Sequence, residues 1–428
     1  MTHAHSIAVI GGGWAGIAAA VRATLAGQHV TLFEMARQLG GRARRVDVEG
    51  LALDNGQHIL IGAYRQTLDL MASIGIDPRA VLARMPLTLC YPDGSGLHLP
   101  RGAPMSAFVR GVLTASGWTV NERLRLLLAA ASWGLAGFRC DPDRSVAELT
   151  QLLPVRVRAT LIEPLCVAAL NTPAERASAA VFLRVLRDAL FSGRGSADLL
   201  LPRRSLGSVL PEPAERWLVA SGAFVSCGSR VARLTAMPHQ AGWQVNGQPF
   251  AGVVLACSSY EAARLTQAIA PAWAAQAAAF EYEPIVTVYL RSAGTRLAQP
   301  MTALICGPDA PSQFVFDLGS IGGAVGVFAF VVSGAREWVA RGLDATTDAV
   351  LRQAVQAFAA GTWREPPRPL RTLAERRATF ACTPGLLRPP ASIAPRLMAA
   401  GDYVQGPYPA TLEGAVRAGN AAAEALSV

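Results

Sequence analysis

The sequence predicts an α/β fold in which a Rossmann-type nucleotide-binding domain is interleaved with an α+β substrate-binding domain. A glycine-rich turn joins the first strand to the first helix, a strand-rich α/β pattern returns after Pro211, and a further βα pair ends the chain. At 428 residues the chain exceeds one ordinary core, since a domain averages about 150 residues. Two domains that share the chain in alternation therefore account for its length.

The first strand covers residues 6–10, a helix follows to about Ala26, and a second strand covers residues 29–33. The later elements are predicted from the same periodicities. Helices are predicted at 120–137, 145–170, 177–190 and from about 411, and strands at 223–226, 230–234, 243–245, 253–257, 284–290, within 313–332, and at 397–399. The nucleotide-binding domain then comprises residues 1–75, 211–275 and 386–428, and the substrate domain comprises 76–210, largely helical, and 276–385, rich in strands.

Composition limits the classes of function. Hydrophobic residues make up 51% and charged residues 16%, against about 25% charged in an average domain, so we expect a large core or an apolar ligand. No uncharged apolar run approaches the roughly 20 residues of a membrane-spanning helix, and no signal peptide is evident. The seven cysteines show no CxxC pair, so neither a metal site nor a disulfide framework is expected. These features favour a cytoplasmic location.

The net charge of +9 comes from arginine alone, because the chain contains no lysine. The basic clusters are short and no basic face is interleaved with aromatic residues, so nucleic acid is not an expected partner. Attraction to anionic lipid remains open.

The turn after the first strand carries a dinucleotide-binding motif. Residues 11–16 satisfy GxGxxG, in which Gly11 makes the turn, Gly13 admits a pyrophosphate and Gly16 lets the helix pack on the strand. Glu34 ends the second strand, where an acidic residue accepts hydrogen bonds from ribose hydroxyls.

Two further segments point to FAD rather than a nicotinamide. Gly40, Gly41 and Arg42 follow Glu34 closely, and the arginine can neutralise a diphosphate. Near the end of the chain, Asp402 precedes a helix whose positive N-terminus would favour an anionic reduced flavin. No second glycine fingerprint suggests a separate NAD(P)H domain. The cofactor-binding residues predicted are Gly11, Gly13, Trp14, Ala15, Gly16, Glu34, Gly40, Gly41, Arg42, Gly56, Gln57, His58, Val231, Asp402, Ala410, Thr411 and Leu412.

Four segments carry a resemblance to a known family: Leu53-Asp54-Asn55-Gly56-Gln57-His58, residues 168–173, residues 282–290 and residues 408–415. With the glycine motifs they resemble the amine oxidase and phytoene desaturase superfamily. Within it, the Asp54–His58 and Asn171 segments are similar to the hydroxysqualene dehydroxylases of hopanoid biosynthesis. The absence of lysine adds to this, since many amine oxidases place a lysine beside the flavin.

The resemblance implies that reduced FAD converts hydroxysqualene, an apolar triterpenoid, to squalene, and that an external electron donor reduces the flavin. Protonation and loss of an allylic hydroxyl leave a cation that hydride can quench in a dry site. The acid is expected to be His58 or Asp54, with Tyr408 as a further candidate. Alternatively, Asp54 caps a turn and His58 only hydrogen-bonds the flavin.

Two other functions remain open from the sequence. A carotenoid-type desaturase would run the flavin chemistry in the oxidative direction on a polyene. A non-catalytic escort protein would hold FAD without turnover. Flavin turnover with substrate distinguishes an enzyme from an escort protein, and the direction of the redox change distinguishes the two enzymes.

An apolar substrate of this size implies contact with the inner face of the membrane. The segment 109–138 is the predicted contact, with Trp118 and Trp133 as interfacial anchors and Leu124–Leu128 as apolar surface. Headgroup contacts are predicted for Arg110, Arg123, Arg125 and Arg139. Alternatively, these helices are buried and line the substrate domain.

Overall fold

A computed structural model describes residues 5–238 and 241–427. The strands are β1 (Ser6–Ile10), β2 (His29–Phe33), β3 (Arg45–Val48), β4 (Leu51–Asp54), β5 (Leu60–Ile61), β6 (Leu82–Met85), β7 (Thr88–Cys90), β8 (Gly96–His98), β9 (Leu199–Pro202), β10 (Phe224–Ser226), β11 (Leu234–Ala236), β12 (Trp243–Val245), β13 (Gln248–Phe250), β14 (Gly252–Leu255), β15 (Tyr282–Arg291), β16 (Met301–Ala303), β17 (Phe314–Asp317), β18 (Val327–Val332), β19 (Arg368–Phe380), β20 (Ser392–Ala394) and β21 (Leu397–Ala399).

The helices are α1 (Trp14–Leu25), α2 (Arg65–Ser73), α3 (Pro78–Val81), α4 (Pro104–Thr114), α5 (Val120–Leu135), α6 (Val146–Thr150), α7 (Val155–Val157), α8 (Glu163–Leu170), α9 (Ala179–Phe191), α10 (Leu206–Val209), α11 (Pro211–Ala220), α12 (Ser259–Thr266), α13 (Pro271–Ala278), α14 (Leu318–Ile321), α15 (Arg336–Arg341), α16 (Leu343–Ala357) and α17 (Leu412–Leu426), with a π-helical turn at Arg158–Ile162.

A six-stranded sheet in the order β10-β2-β1-β14-β21-β20 is assembled from three separate parts of the chain. β1 pairs in parallel with both β2 and β14, and only β20 joins antiparallel. The central strands read as continuous apolar runs because both faces of the sheet are buried. Ile7 and Val9 pack in the cluster that contains α1 and α17, and Ala8 and Ile10 pack in the cluster that contains Trp243 and Phe250 of the β11-β12-β13 sheet. This sheet brings the N-terminal glycine turn beside the C-terminal β21.

Helices α1 and α17 pack closely because their contact is made of small residues. A Cβ at Gly419 would lie 2.2 Å from the Ala15 carbonyl oxygen, so only glycine fits there. The alanine-rich face of α1 is fully buried. The close packing fixes the N-termini of both helices at the same end of the sheet.

A five-stranded antiparallel sheet in the order β16-β17-β18-β15-β19 forms the second layer. On one face of β15, Val286, Val288 and Leu290 enter a buried apolar cluster that also contains residues of α16. On its other face, Tyr289 donates a hydrogen bond of 2.8 Å to the Asp54 carbonyl oxygen. Side chains alternate along a strand, so β15 joins the core to the segment after β4.

The predicted α/β fold class is confirmed, while several elements differ from prediction. The helix predicted at 145–170 is divided into α6, α7, the π-helical turn and α8, because Pro154 and Pro164 each remove a backbone donor. The strand region predicted at 313–332 contains the short helix α14, and the strand predicted at 230–234 begins only at Leu234. The domain boundaries stay a prediction.

The helix α5 corrects the predicted membrane anchors. Trp118 is buried and donates a hydrogen bond of 3.1 Å to Thr160 Oγ1, and Trp133 is half-buried against the main core. The Arg123 guanidinium donates to the Leu113 and Ala115 carbonyl oxygens. The predicted interfacial role of Trp118 is therefore wrong, whereas that of Trp133 stays a prediction, and the Arg123 side chain caps the end of α4. In the described part of the chain, no helix is both long and apolar enough to cross a bilayer.

Candidate active site

A cavity of about 860 Å³ is lined by residues from both sheets. It brings together sixteen of the seventeen predicted cofactor-binding residues, and only Gly16 lies outside its lining. Of the three predicted acids, His58 lines the cavity, whereas Asp54 and Tyr408 are absent from the lining among the described residues.

The turn after β1 depends on glycine at two places. Gly11 has φ +108°, and a Cβ there would lie 2.7 Å from the Ala256 carbonyl oxygen. A Cβ at Gly16 would lie 1.8 Å from the Gly11 carbonyl oxygen. Gly11 thus permits the turn and Gly16 permits the contact of α1 with it, which explains why Gly16 lies behind the cavity.

Gly13 differs because nothing in the protein fills the space above it. A Cβ there would meet only the Gly41 Cα atom, at 4.0 Å, and the backbone is extended with φ −71° and ψ −179°. Neither strain nor a protein contact excludes a side chain at this position. The vacant space lies at the N-terminus of α1, where helix N–H groups favour an anion, so a diphosphate fits the residues present.

Glu34 lines the cavity and lies directly after β2. Its Oε2 accepts from the Gly12 N–H at 2.6 Å and its Oε1 accepts from the Ala36 N–H at 2.7 Å. A carboxylate offers about four lone-pair sites, so two remain for ribose hydroxyls. The backbone bonds hold the carboxylate in place before any ligand binds.

Arg42 and Asp402 form a pair that joins the two ends of the chain. Arg42 donates to Asp402 Oδ1 at 2.6 Å and to the Ala378 carbonyl oxygen at 2.9 Å. Asp402 is buried, whereas the Arg42 side chain is partly exposed to the cavity. The pairing was not predicted from sequence, where Arg42 was assigned to the diphosphate and Asp402 to the flavin separately.

The C-terminal segment reaches the cavity through the N-terminus of α17. Thr411 caps this helix by accepting from the Gly414 N–H at 3.0 Å, and Ala410 before it has a positive φ of 56°. Ala410, Thr411 and Leu412 all line the cavity. Val231 also lines the cavity, and its carbonyl oxygen accepts a hydrogen bond from Arg264.

His58 is the predicted acid that reaches the cavity. Its pKa is lowered to about 4, first by burial and then by the positive charge of Arg42, while a hydrogen bond to the Arg42 backbone acts in the opposite direction. The imidazole is therefore neutral at pH 7. A Cβ at Gly56 would lie 3.9 Å from His58 Nε2, so this nitrogen lies beside the Gly56 backbone.

Asp54 is buried at the end of β4 and is separated from the cavity. Its Oδ1 accepts from the Leu206 N–H at 2.7 Å, at the start of α10. Burial raises its pKa to about 7, although the Leu206 hydrogen bond lowers it. Asp54 thus holds a proton near neutral pH, but its side chain contacts α10 rather than the space where a substrate would lie.

Tyr408 packs behind the cavity wall. Its ring meets that of Tyr64 edge to face, with centroids 6.1 Å apart, and the Arg417 guanidinium lies 4.8 Å from its centroid. Burial and then Asp188 raise the pKa of the Tyr408 hydroxyl to about 12. Tyr64 lines the cavity in its place.

One part of the cavity wall is apolar. It contains Val167, Ala168, Ile285, Phe314, Phe316 and Val331. Asn171 holds this wall together, because it ends α8 in a left-handed conformation and bonds the Glu283 carbonyl oxygen, Thr379 Oγ1 and the Gly334 N–H. Both of its Nδ2 hydrogens and one lone pair of Oδ1 are used by these contacts, which gives it a structural role.

Sequence reasoning missed the contribution of β19. Glu375 on this strand lines the cavity and accepts from Asn55 Nδ2 at 3.4 Å, with Arg44 3.9 Å away. The Ala378 carbonyl oxygen and Thr379 come from the same strand. The absence of glycine and proline from residues 370–380 was the available signal, but the many arginines obscured it.

Residues 14–427 match the model of the family described as flavin containing amine oxidoreductase. A hydroxysqualene dehydroxylase of Rhodopseudomonas palustris is 30% identical over 98% of this chain and 97% of its own length. One from Sinorhizobium fredii is 27% identical with the same coverage. A solved oxidoreductase from Methanosarcina mazei shares the fold, with a TM-score of 0.76 at 15% identity over 98% of this chain and 100% of its own.

The matches extend over both layers of the fold, and the glycine end of the cavity has the space and the backbone donors that a dinucleotide requires. Lining residues come from all three parts of the chain that build the six-stranded sheet. The chain therefore belongs to the flavin-containing amine oxidoreductases, in the hydroxysqualene dehydroxylase family, and is an FAD-dependent oxidoreductase.

Proposed function

We propose that this enzyme reduces hydroxysqualene to squalene, replacing the allylic hydroxyl with hydrogen, in hopanoid biosynthesis. The observation that carries the proposal is one cavity with two unlike parts. A glycine-lined end fits FAD, and a wall of Val167, Ile285, Phe316 and Val331 fits an isoprenoid chain. Full-length similarity to the hydroxysqualene dehydroxylases supports the same assignment.

The residues present divide the work of holding FAD. The α1 N-terminus and Gly13 would hold the diphosphate, Glu34 would bind the adenosine ribose, and the α17 N-terminus would lie at the flavin ring. When bound and reduced, FAD supplies the hydride. An external electron donor must restore the reduced cofactor after each turnover.

The protein must deliver a proton to the departing hydroxyl. It must also keep water away from the carbon to which that hydroxyl was bonded. We assign the proton to His58, because a candidate acid must reach the substrate before its pKa matters. His58 lines the cavity and Asp54 does not. The apolar wall then excludes the water that would otherwise recapture an allylic cation.

Anaerobic reoxidation of the photoreduced enzyme tests the direction of the reaction. Hydroxysqualene in detergent micelles should restore the absorbance of oxidised flavin and yield one squalene per flavin, measured by gas chromatography. Squalene itself serves as the control and should leave the flavin reduced.

Other outcomes would assign another function. If the oxidised enzyme is reduced by a polyene precursor and the reduced enzyme ignores hydroxysqualene, the protein is a desaturase. If FAD binds but neither lipid changes its redox state, the escort function replaces the proposal.

A further inference from the structure

Helix α5 exposes a continuous row of apolar side chains to solvent. Val120, Leu124, Leu128 and Leu135 are 77%, 53%, 60% and 92% exposed. At 3.6 residues per turn these four positions fall within an arc of about 80° on one side of the helix. We name them the α5 stripe.

The opposite side of α5 packs against the protein and anchors the helix. Leu126 is buried, and Trp133 packs against the main core. The capping box formed by Thr119 and Glu122 fixes the N-terminus of the helix. The α5 stripe therefore belongs to a well-anchored helix, and its exposure does not come from a frayed end.

The charges near the stripe favour one kind of partner. Arg125 lies about 60° around α5 from Leu128, and Arg139 follows the C-terminus of the helix. Arg125 and Arg139 are exposed and form no ion pair in the described part of the chain. Within residues 104–139 the only acidic residue is Glu122, which is engaged in the capping box. A symmetric dimer through this face would set the same arginines against each other, whereas an anionic lipid surface would pair with them.

We propose that the α5 stripe docks on an anionic lipid surface, with its aliphatic side chains in the headgroup boundary and Arg125 and Arg139 on the phosphates. Leu124 and Leu128 belong to the apolar surface predicted from the sequence, the exposed Val120 and Leu135 extend it, and the buried Trp118 takes no part in it. An interfacial helix of this kind buries one apolar face and leaves its charged neighbours at headgroup depth.

The helix that carries the stripe is also connected to the cavity wall through one neighbouring helix. Helix α5 contacts α7, and α7 continues through the π-helical turn into α8, whose residues 167–169 line the cavity. A triterpenoid is effectively absent from water, so an enzyme that docks here would collect it from lipid. That link rests on the proposed function, while the docking itself rests on the α5 stripe.

Vesicle flotation of the full chain with FAD tests the proposal. The probes are vesicles of phosphatidylcholine alone and vesicles of phosphatidylcholine with phosphatidylglycerol. The wild type should float with the anionic vesicles, and the Leu124→Asp/Leu128→Asp double variant should lose at least about tenfold in partition coefficient. Arg125→Gln/Arg139→Gln should lose about fivefold per arginine on the anionic vesicles only.

A matched control separates this effect from a change of charge. Leu25→Asp/Leu387→Asp alters two other exposed leucines by the same charge and should float like the wild type. FAD content and turnover of micellar substrate should be the same in the α5 variants and the wild type, so a failed function would appear separately.

Two results would overturn the proposal. One is a wild type that does not float with anionic vesicles, or a Leu124→Asp/Leu128→Asp variant that floats equally well. The other is a wild type that sediments as a dimer, does not float, and becomes monomeric in the double variant, which would assign the stripe to a second copy of the chain.

Discussion

The two ends of the cavity are built from different parts of the polypeptide. At the glycine end, the backbone of two short segments near the N-terminus forms the surface, with Glu34 held by the N–H groups of Gly12 and Ala36. At the apolar end, side chains from α8, β15, β17 and β18 meet, although they lie between residues 167 and 331. The first end needs space at particular backbone atoms, and the second needs packing over long distances in the chain.

This difference determines how a substitution at each end of the cavity affects the enzyme. A Cβ at the wrong glycine blocks the cofactor whatever the rest of the protein does. A single substitution in the apolar wall changes shape and water access but leaves the other side chains in place. The His58 segment lies where the two ends meet, since the Asn55 N–H donates to the Arg44 carbonyl oxygen beside the glycine end and Tyr289 of β15 donates to the Asp54 carbonyl oxygen.

The largest effect is expected at Gly13. Gly13→Val should yield protein without FAD, because the valine methyl groups would occupy the open space at the turn that fits a diphosphate. Bound flavin is measured by absorbance after gel filtration and by the thermal shift on adding FAD.

The matched control is Gly307→Val. An added Cβ at Gly307 would meet no atom within 4 Å, and its φ is not positive, but it lies on a loop outside the cavity lining. This variant should retain full flavin content. If Gly13→Val is equally yellow, the diphosphate does not lie at this turn.

The next effect is expected at the junction of the two ends. His58→Ala should slow substrate-dependent reoxidation by about 100-fold to 10,000-fold, the range typical of a positioned acid. FAD should stay bound, because the glycine end is unchanged. Single-turnover stopped-flow absorbance measures the rate, and a wild-type rate in this variant would move the proton source elsewhere.

The pH dependence distinguishes His58 from Asp54. Only protonated His58 can donate, and its pKa of about 4 means that the reoxidation rate should fall about tenfold per pH unit as the pH rises from 5 to 7. With Asp54 as donor, whose pKa is about 7, the rate would be flat below pH 7 and fall above it. Asp54→Asn keeps an oxygen acceptor for the Leu206 N–H and should leave the profile unchanged.

The same division explains what the sequence could predict. Gly11, Gly13, Gly16 and Glu34 act through local backbone geometry, so their spacing alone predicted where they lie. Glu375 could not be predicted, because β19 reaches the cavity by pairing with β15, about ninety residues earlier in the chain.

Contacts between residues far apart in sequence also determine which side chains are buried. Trp118 lies in a segment whose arginines and leucines favour a surface helix, yet its hydrogen bond to Thr160 turns it inward. The pairing of Arg42 with Asp402 is a contact between residues 360 apart in sequence, and neither motif contains any trace of it. Local motifs therefore predicted one end of the cavity, and tertiary packing determined the other.

The smallest effect is expected behind the cavity wall, at Tyr408. Tyr408→Phe should change the reoxidation rate by less than about threefold, well below the roughly 100-fold minimum for loss of an acid. The ring would still contact Tyr64 and lie beside Arg417, and only a hydroxyl outside the cavity lining would be lost. Tyr408→Ala removes the ring that supports Tyr64 and should slow the reaction further, through misplacement of the wall. If the phenylalanine variant instead loses 100-fold while the alanine variant loses no more, the Tyr408 hydroxyl is the proton donor and His58 is not.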